Sequence, residues 1–242
     1  MTTQKAALVT GASSGIGLAI AEMLAEEGHG VTLTARRVEK LDDAVAGLRD
    51  KGYDVQAASG RIGGEEGIEK RLVDAHLEQY GRLDVLVNNA GLATEVPLEE
   101  MPDNRIELQI SVNLRSVMSF YRAALPALRA AAADRGNALV VNTSSVSAHD
   151  PKPGLAVYGA TKAALATLTR AMNTEVSQDG IRSCSLAPGY VATPMTDHID
   201  NIPRDQMIQP SDLAEIVRAL LRLSPACVIP EVTFQRAGGL NW

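Results

Sequence analysis

Aromatic residues are scarce: one Trp, five Tyr and two Phe in 242 residues. That scarcity excludes the row of stacked rings with which single-stranded nucleic acids are held, and it leaves the core to Ala, Val, Leu and Ile. A basic surplus is also missing. The net charge is -6, whereas proteins that grip a phosphate backbone carry a basic face. Cysteine occurs only as Cys184 and Cys227, too few and too far apart for a disulfide scaffold or a Cys-rich zinc site, and suited to a reducing compartment. No apolar run approaches the ~20 residues of a membrane span. After Lys5 the chain passes straight into Ala6-Ala7-Leu8-Val9-Thr10-Gly11, with no apolar leader. These absences predict a cytoplasmic protein with no nucleic-acid partner, no membrane partner and no metal.

The balance of 45% hydrophobic and 21% charged residues is that of a globular chain with a sizeable core. Short apolar runs alternate with segments of helical period, as in repeated βα units. Strands are predicted at Ala6 to Thr10, Val31 to Ala35, Asp54 to Ala58, Val85 to Asn88, Ala138 to Thr143, Ile181 to Ala187 and Val228 to Phe234. Ile16, Ala19, Ile20, Met23 and Leu24 mark one face of a first helix that Gly28 stops, and Leu41, Val45 and Leu48 mark a second. Further helices are predicted at Glu65–Tyr80, Asp103–Ala132, Val157–Gln178 and Ser211–Leu223, with Asp103 and Ser211 as caps. The fold class that follows is α/β: a doubly wound, mostly parallel seven-stranded sheet with helices on both faces, forming one domain over 1–242. Ligands of such sheets lie beyond the carboxyl ends of the strands, so the aperiodic segment Pro194 to Gln209 is a lid candidate.

Thr10-Gly11-Ala12-Ser13-Ser14-Gly15-Ile16-Gly17 joins the first strand to the first helix. Glycines let the backbone turn sharply against a pyrophosphate, and the helix start offers unpaired N–H groups and a partial positive charge. No Gly-Lys-Ser/Thr follows, which excludes a P-loop. At the end of the second strand, where a carboxylate would hold the ribose of NAD, the chain reads Thr34-Ala35-Arg36-Arg37. A carboxylate repels a 2′-phosphate and a guanidinium binds it through paired charge-assisted hydrogen bonds, so NADP(H) is expected over NAD.

Tyr158-Gly159-Ala160-Thr161-Lys162 opens a predicted helix and sets Tyr158 and Lys162 four apart on one face. A tyrosine works as a base only if its pKa of ~10 falls towards ~7, which needs ~4 kcal/mol of preferential phenolate stabilisation. A nearby ammonium and the positive ring of an oxidised nicotinamide are sources of it. Taken alone the pair is a weak signal, common on exposed helices. Two further polar turns, Asn142-Thr143-Ser144-Ser145 and Asn88-Asn89-Ala90-Gly91, end the fifth and fourth strands and fall at the same sheet edge.

This ordered set resembles the short-chain dehydrogenase/reductase family in its shorter, non-extended branch, with a Rossmann fold. The motifs that carry it are T-G-x-x-x-G-x-G at Thr10–Gly17, N-N-A-G at Asn88–Gly91, the Asn of Ser111-Val112-Asn113, a Ser ahead of Y-x-x-x-K, and P-G-x-V-x-T at Pro188–Thr193. The resemblance runs from about Lys5 to Thr193 and more loosely to Gly239. It implies that Tyr158 is the acid in carbonyl reduction and the base in alcohol oxidation, that Lys162 lowers its pKa and holds the nicotinamide ribose, and that Asn113 organises a water relay. Ser145, preferred to Ser144, would hydrogen-bond the substrate oxygen. The cofactor set it implies is Gly11, Ser13, Ser14, Gly15, Ile16, Gly17, Arg36, Arg37, Ile62, Asn89, Ala90, Gly91, Tyr158, Lys162, Pro188, Gly189, Val191 and Thr193. Ser145, Ser147, His149, Tyr190 and Met195 are the substrate-pocket candidates, His149 being the one a surface loop explains better.

Departures from the pattern are informative. Relatives place an Asp after the third strand to accept from the adenine amine; this chain reads Ser59-Gly60-Arg61-Ile62, which puts that contact in doubt and adds a third cation at the adenosine end. Ser183-Cys184-Ser185 is more polar than usual, and Ala237-Gly238-Gly239 lacks the common acidic residue. The expected activity is NADP(H)-dependent reduction of a small ketone or aldehyde, reversible as oxidation of a secondary alcohol. Alternatives are an NADP-sensing protein that has lost the chemistry, an NAD-preferring alcohol dehydrogenase, and a nucleotide-sugar epimerase or dehydratase, which the length disfavours. The long helices at 103–132 and 157–178 are apolar enough for an intersubunit face, so a homo-oligomer is expected, a tetramer in preference to a dimer.

Overall fold

The chain is described by a computed structural model in which residues 4–237 are placed. Its strands are β1 Ala6–Thr10, β2 Gly30–Ala35, β3 Val55–Ser59, β4 Val85–Asn88, β5 Ala138–Thr143, β6 Ile181–Pro188 and β7 Glu231–Phe234. All pair in parallel, in the order β3-β2-β1-β4-β5-β6-β7. The helices are α1 Gly15–Glu26, α2 Val38–Arg49, α3 Ile68–Tyr80, α4 Asp103–Ile110, α5 Ser116–Arg135, α6 Ala156–Val176 and α7 Pro210–Arg222.

Central strands are buried along their whole length because both faces are covered, and the pleat deals their side chains alternately to two cores. Ala7, Val9, Val85, Val87, Leu139 and Val141 face the layer that includes Ile20 and Leu24 of α1, Leu41 of α2 and Val217 of α7. Leu8, Leu86 and Val140 face the layer of Leu72 from α3, Phe120 and Leu128 from α5 and Leu165 from α6. The order in which strands are added reverses between β1 and β4, which leaves a crevice at their carboxyl ends.

Several expectations shift. β7 begins at Glu231, not Val228, and β3 runs from Val55 to Ser59. α3 starts at Ile68 behind Gly67, whose φ of 71° breaks the run from Glu65. Residues 103–132 do not form one α-helix: Ser111–Arg115 is a π-turn between α4 and α5. Neither Asp103 nor Ser211 is a cap. Pro102 caps α4, and at α7 the Gln209 backbone N–H donates to the Asp212 carboxylate (2.8 Å). Pro210 then takes the first helical position, where a missing N–H costs nothing. The Pro194 to Gln209 segment is not featureless; it holds 3₁₀ turns at Pro194–Thr196 and Arg204–Gln206, a bridge between Val191 and Ile208, and buried Ile202, Met207 and Ile208. The glycine pair Gly238-Gly239 lies outside the described residues.

The polar stretch Ser183-Cys184-Ser185 has a partner. Asn142, fully buried in β5, accepts from Asn88 Nδ2 (2.8 Å) and donates to Tyr121 Oη (2.9 Å) and Thr169 Oγ1 (2.9 Å). Tyr121 in turn donates to Ser183 Oγ (3.0 Å), and burial pushes its phenol up to about 12. This chain of bonds ties β4, β5, β6, α5 and α6 together. Replacing Asn142 by Leu keeps the volume but strands its buried partners, each at roughly 1–3 kcal/mol. Urea unfolding of Asn142→Leu is expected to show a loss of about 2–4 kcal/mol with an unchanged m value; a loss below about 1 kcal/mol would contradict the network's role.

Candidate active site

The strand ends open onto one cleft of about 570 Å³. Its floor at the phosphate end is the turn between β1 and α1. Thr10 Oγ1 donates to the Val87 carbonyl (3.2 Å) and accepts from the Asn89 (2.9 Å) and Ala90 (3.0 Å) backbone N–H groups. Asn89 Nδ2 reaches back to the Thr10 (3.1 Å) and Gly11 (3.2 Å) carbonyls, and Asn89 Oδ1 accepts from Thr143 Oγ1 (3.2 Å). So tight an approach requires glycine. Gly11 has a φ of 64° and a Cβ there would meet Ala90 Cα at 2.9 Å; a Cβ on Gly17 would lie 2.5 Å from both the Gly11 oxygen and Asn89 Nδ2. α1 carries no acidic residue in its first turn, so the positive end of its dipole faces the cleft uncompensated. Ser13, Ser14, Gly15 and Ile16 line the wall; Gly17 sits behind it, in a packing role.

At the far end β2 and β3 finish side by side, with the Gly60 N–H donating to the Ala35 carbonyl (3.1 Å). Arg36 and Arg37 follow one strand, and Arg61 and Ile62 the other; all four line the cleft. The π-turn supports this wall through Ser111 Oγ, which donates to the Gly63 carbonyl (2.9 Å). Although the chain is acidic overall, no carboxylate lines the cleft among the described residues, while three arginines and Lys162 do.

The chemical end is built on the first turns of α6. Lys162 is 4% exposed; its Nζ donates to the Thr143 carbonyl (2.6 Å) and lies 5.6 Å from the centre of the Tyr158 ring. With no carboxylate beside it, burial alone lowers its pKa to about 8. Tyr158 shifts the other way from the fall that base chemistry requires: burial raises its phenol, and a hydrogen bond with Ser145 only partly opposes that. Ser145 accepts from the Ser147 N–H (3.1 Å) and donates weakly to the Pro188 carbonyl (3.5 Å), whereas Ser144 spends its hydroxyl on the Lys162 carbonyl (2.9 Å). The two serines are therefore in different situations, one braced against α6 and the other beside the phenol.

Asn113 lies in the π-turn, fully buried, and is not part of the cleft lining. It accepts from the Leu92 N–H (2.9 Å) and donates to the Leu92 carbonyl (2.9 Å) and Thr161 Oγ1 (3.1 Å). A Cβ on Gly91 would stand 3.4 Å from both Asn113 Oδ1 and Lys162 Nζ, which places the two groups around one glycine. Thr161, which no motif singles out, donates to the Tyr158 carbonyl (2.7 Å) and so connects Asn113 to α6. π-turns recur at functional sites because they aim one side chain off the helical register.

Ala90, Gly91, Pro188, Gly189, Val191 and Thr193 line the cleft, as does half-exposed Met195. Ser147, His149 and Tyr190 do not. Ser147 is buried, with its carbonyl against Gly159; His149 pairs with Glu231 (2.6 Å) on the outside; and the Tyr190 hydroxyl accepts from Lys152 (2.8 Å). Leu92, Ala93, Leu108 and Val112 take part in their place. The four-residue step from Leu108 to Val112, just ahead of Asn113, was the available signal.

Known proteins share this architecture. The short chain dehydrogenase family profile matches residues 5–202. The 3-oxoacyl-[acyl-carrier-protein] reductase FabG of Staphylococcus aureus is 34% identical over 99% of both chains, and dehydrogenase/reductase SDR family member 4 of Caenorhabditis elegans is 33% identical over 92% of this chain and 85% of its own. Among solved structures, an alcohol dehydrogenase of the archaeon Thermococcus sibiricus complexed with 5-hydroxy-NADP superposes with a TM-score of 0.86 at 31% identity, covering 96% of this chain and 97% of that one. A 3-ketoacyl-(acyl-carrier-protein) reductase of Brucella melitensis complexed with NADH gives 0.85 at 28% identity, covering 96% of each chain. With a seven-stranded parallel sheet, the ordered motifs and these matches in agreement, the chain belongs to the short-chain dehydrogenase family of oxidoreductases.

Proposed function

We propose that the protein is an NADP(H)-dependent carbonyl reductase, acting on a small ketone or aldehyde and reversible as a secondary-alcohol dehydrogenase. The observation that carries the reading is the cleft itself, which runs from Arg36 and Arg37, past the glycine turn, to Ser145, Tyr158 and Lys162 without meeting a carboxylate. The residues fit a dinucleotide: a helix start for the pyrophosphate, guanidinium groups for a 2′-phosphate, and apolar Ile16, Ile62 and Val191 for ring faces. When bound, the cofactor supplies the hydride that reaches the carbonyl carbon.

This chain's own residues manage the proton. Ser145 holds the carbonyl oxygen. Tyr158 gives its hydroxyl proton to that oxygen as the alcohol forms; burial raises the phenol and makes it a weaker acid, so this direction too relies on compensation of the phenolate. Lys162, still an ammonium at neutral pH, compensates the phenolate left behind until a proton from solvent restores the phenol, and Asn113, through Thr161, keeps α6 in place. The opposite direction needs a lowered phenol pKa, for which burial is adverse and added positive charge in the cleft is required.

The substrate reading draws on the modest wall of Leu92, Ala93 and Met195 and on relatives named as ketoacyl reductases. The 194–209 segment serves as its lid in a single-domain enzyme. A homo-oligomeric, cytoplasmic enzyme belongs to the same reading, supported by exposed Ile110 and Met118 on the 103–135 run and by two free cysteines. An NAD-preferring enzyme is the competing reading, as the NADH-bound Brucella relative illustrates.

Three outcomes are expected. Following reduced-nicotinamide absorbance with a panel of small ketones, Tyr158→Phe lowers kcat by at least about 100-fold while cofactor affinity is kept; unchanged turnover removes the proton-transfer role. Arg36→Asp lowers the ratio of NADPH to NADH specificity by about 100-fold, through lost charge-assisted bonds and added repulsion; a parent enzyme that already prefers NADH contradicts the cofactor assignment. Finally, kcat/KM for reduction is level near neutrality and falls as pH rises through about 8, where Lys162 loses its proton. A profile that climbs through that range contradicts the role given to the ammonium.

A further inference from the structure

Arg61 lines the cleft just beyond the end of β3, and the function above leaves it unused. Its surroundings are specific. The Gly60 N–H bond to the Ala35 carbonyl makes residues 36 and 61 the continuations of two adjacent, hydrogen-bonded strand ends, and both residues line the cleft. The loop that carries Arg61 is held at both ends. Its Gly64 N–H donates to the Arg61 carbonyl (3.0 Å), and the Gly63 carbonyl accepts from Ser111 on the π-turn (2.9 Å).

None of Arg36, Arg37 and Arg61 makes a side-chain hydrogen bond or ion pair among the described residues, and Glu65, the nearest acid in sequence, is paired with Arg71 (2.8 Å). Three like charges gathered at one end of a cleft repel one another unless an anion joins them. A carboxylate at this place would accept from an adenine amine; a guanidinium has no acceptor to offer and five donors to give.

We propose that Arg61 is a specificity-determining residue that contacts the 2′-phosphate of the bound cofactor jointly with Arg36, so that phosphate recognition is divided between β2 and β3. The assignment rests on the NADP(H) reading above and adds a residue to it. A stacking role over the adenine face, the other use of a guanidinium, would not depend on the phosphate.

The test is calorimetric titration of the intact protein with two fragments, adenosine 2′,5′-bisphosphate and adenosine 5′-monophosphate, without any turnover. The parent is expected to favour the bisphosphate. Arg61→Gln should weaken the bisphosphate by about tenfold, the worth of one charge-assisted hydrogen bond, and leave the monophosphate unchanged. Arg61→Lys should retain most of the preference, and added salt should narrow the gap between parent and Arg61→Gln. Equal losses for both fragments assign Arg61 to the adenine and overturn the proposal, as does an unaltered preference in Arg61→Gln. A parent that does not distinguish the fragments overturns the NADP(H) reading together with this one, whereas a discriminating parent with an unaffected Arg61→Gln overturns this inference alone.

Discussion

The clamp between Thr10 and Asn89 is the contact on which the site depends. The connections after β1 and β4 leave the sheet in opposite directions, and a crevice formed only by that separation would have loosely defined walls. The Asn89 amide uses both of its ends, donating to the Thr10 and Gly11 carbonyls and accepting from Thr143. One side chain thus fixes the glycine turn, the wall at Ala90 and Gly91, and the strand that delivers Ser144 and Ser145. Glycine at 11 and 17 is the counterpart of this clamp, since a methyl group at either would occupy the space the clamp closes.

Charge is the second constraint. The acidic residues of a net negative chain lie elsewhere, and the cleft concentrates Arg36, Arg37, Arg61 and Lys162 with an uncompensated helix start. Like charges so gathered repel one another, and an anion bound among them relieves that repulsion. Burial then separates the two titrating groups of the chemical end, lowering Lys162 and raising Tyr158. Burial keeps the phenol protonated and makes it a weaker acid, so proton transfer in either direction depends on positive charge beside Tyr158.

Much of this was legible from the chain alone, and the remainder was not for identifiable reasons. Strands fully covered on both faces read as continuous apolar runs, so β1, β4 and β5 were bounded correctly by composition. Tyr158, Lys162 and Ser145 stand at fixed offsets from strand and helix ends, and those offsets survive folding. The π-turn at Ser111–Arg115 left no mark because one extra residue in a helical turn hardly disturbs a pattern built from Val112, Ser116 and Val117. His149 and Tyr190 lie in loops whose direction is set by Glu231 and Lys152, residues distant in sequence. Asn89 read as one more cofactor contact; its bracing of the turn appears only when β1, β4 and β5 are side by side.

One cleft, with arginines at the ends of β2 and β3, is proposed to present a phosphorylated dinucleotide to Tyr158. A crystal structure of the complex with NADPH tests it most directly. The 2′-phosphate is expected among Arg36 and its neighbouring guanidinium groups, the pyrophosphate over the Gly11–Gly17 turn, and the nicotinamide beside Tyr158 and Lys162. A 2′-phosphate pointing to solvent, or a nicotinamide placed away from Tyr158, would contradict it.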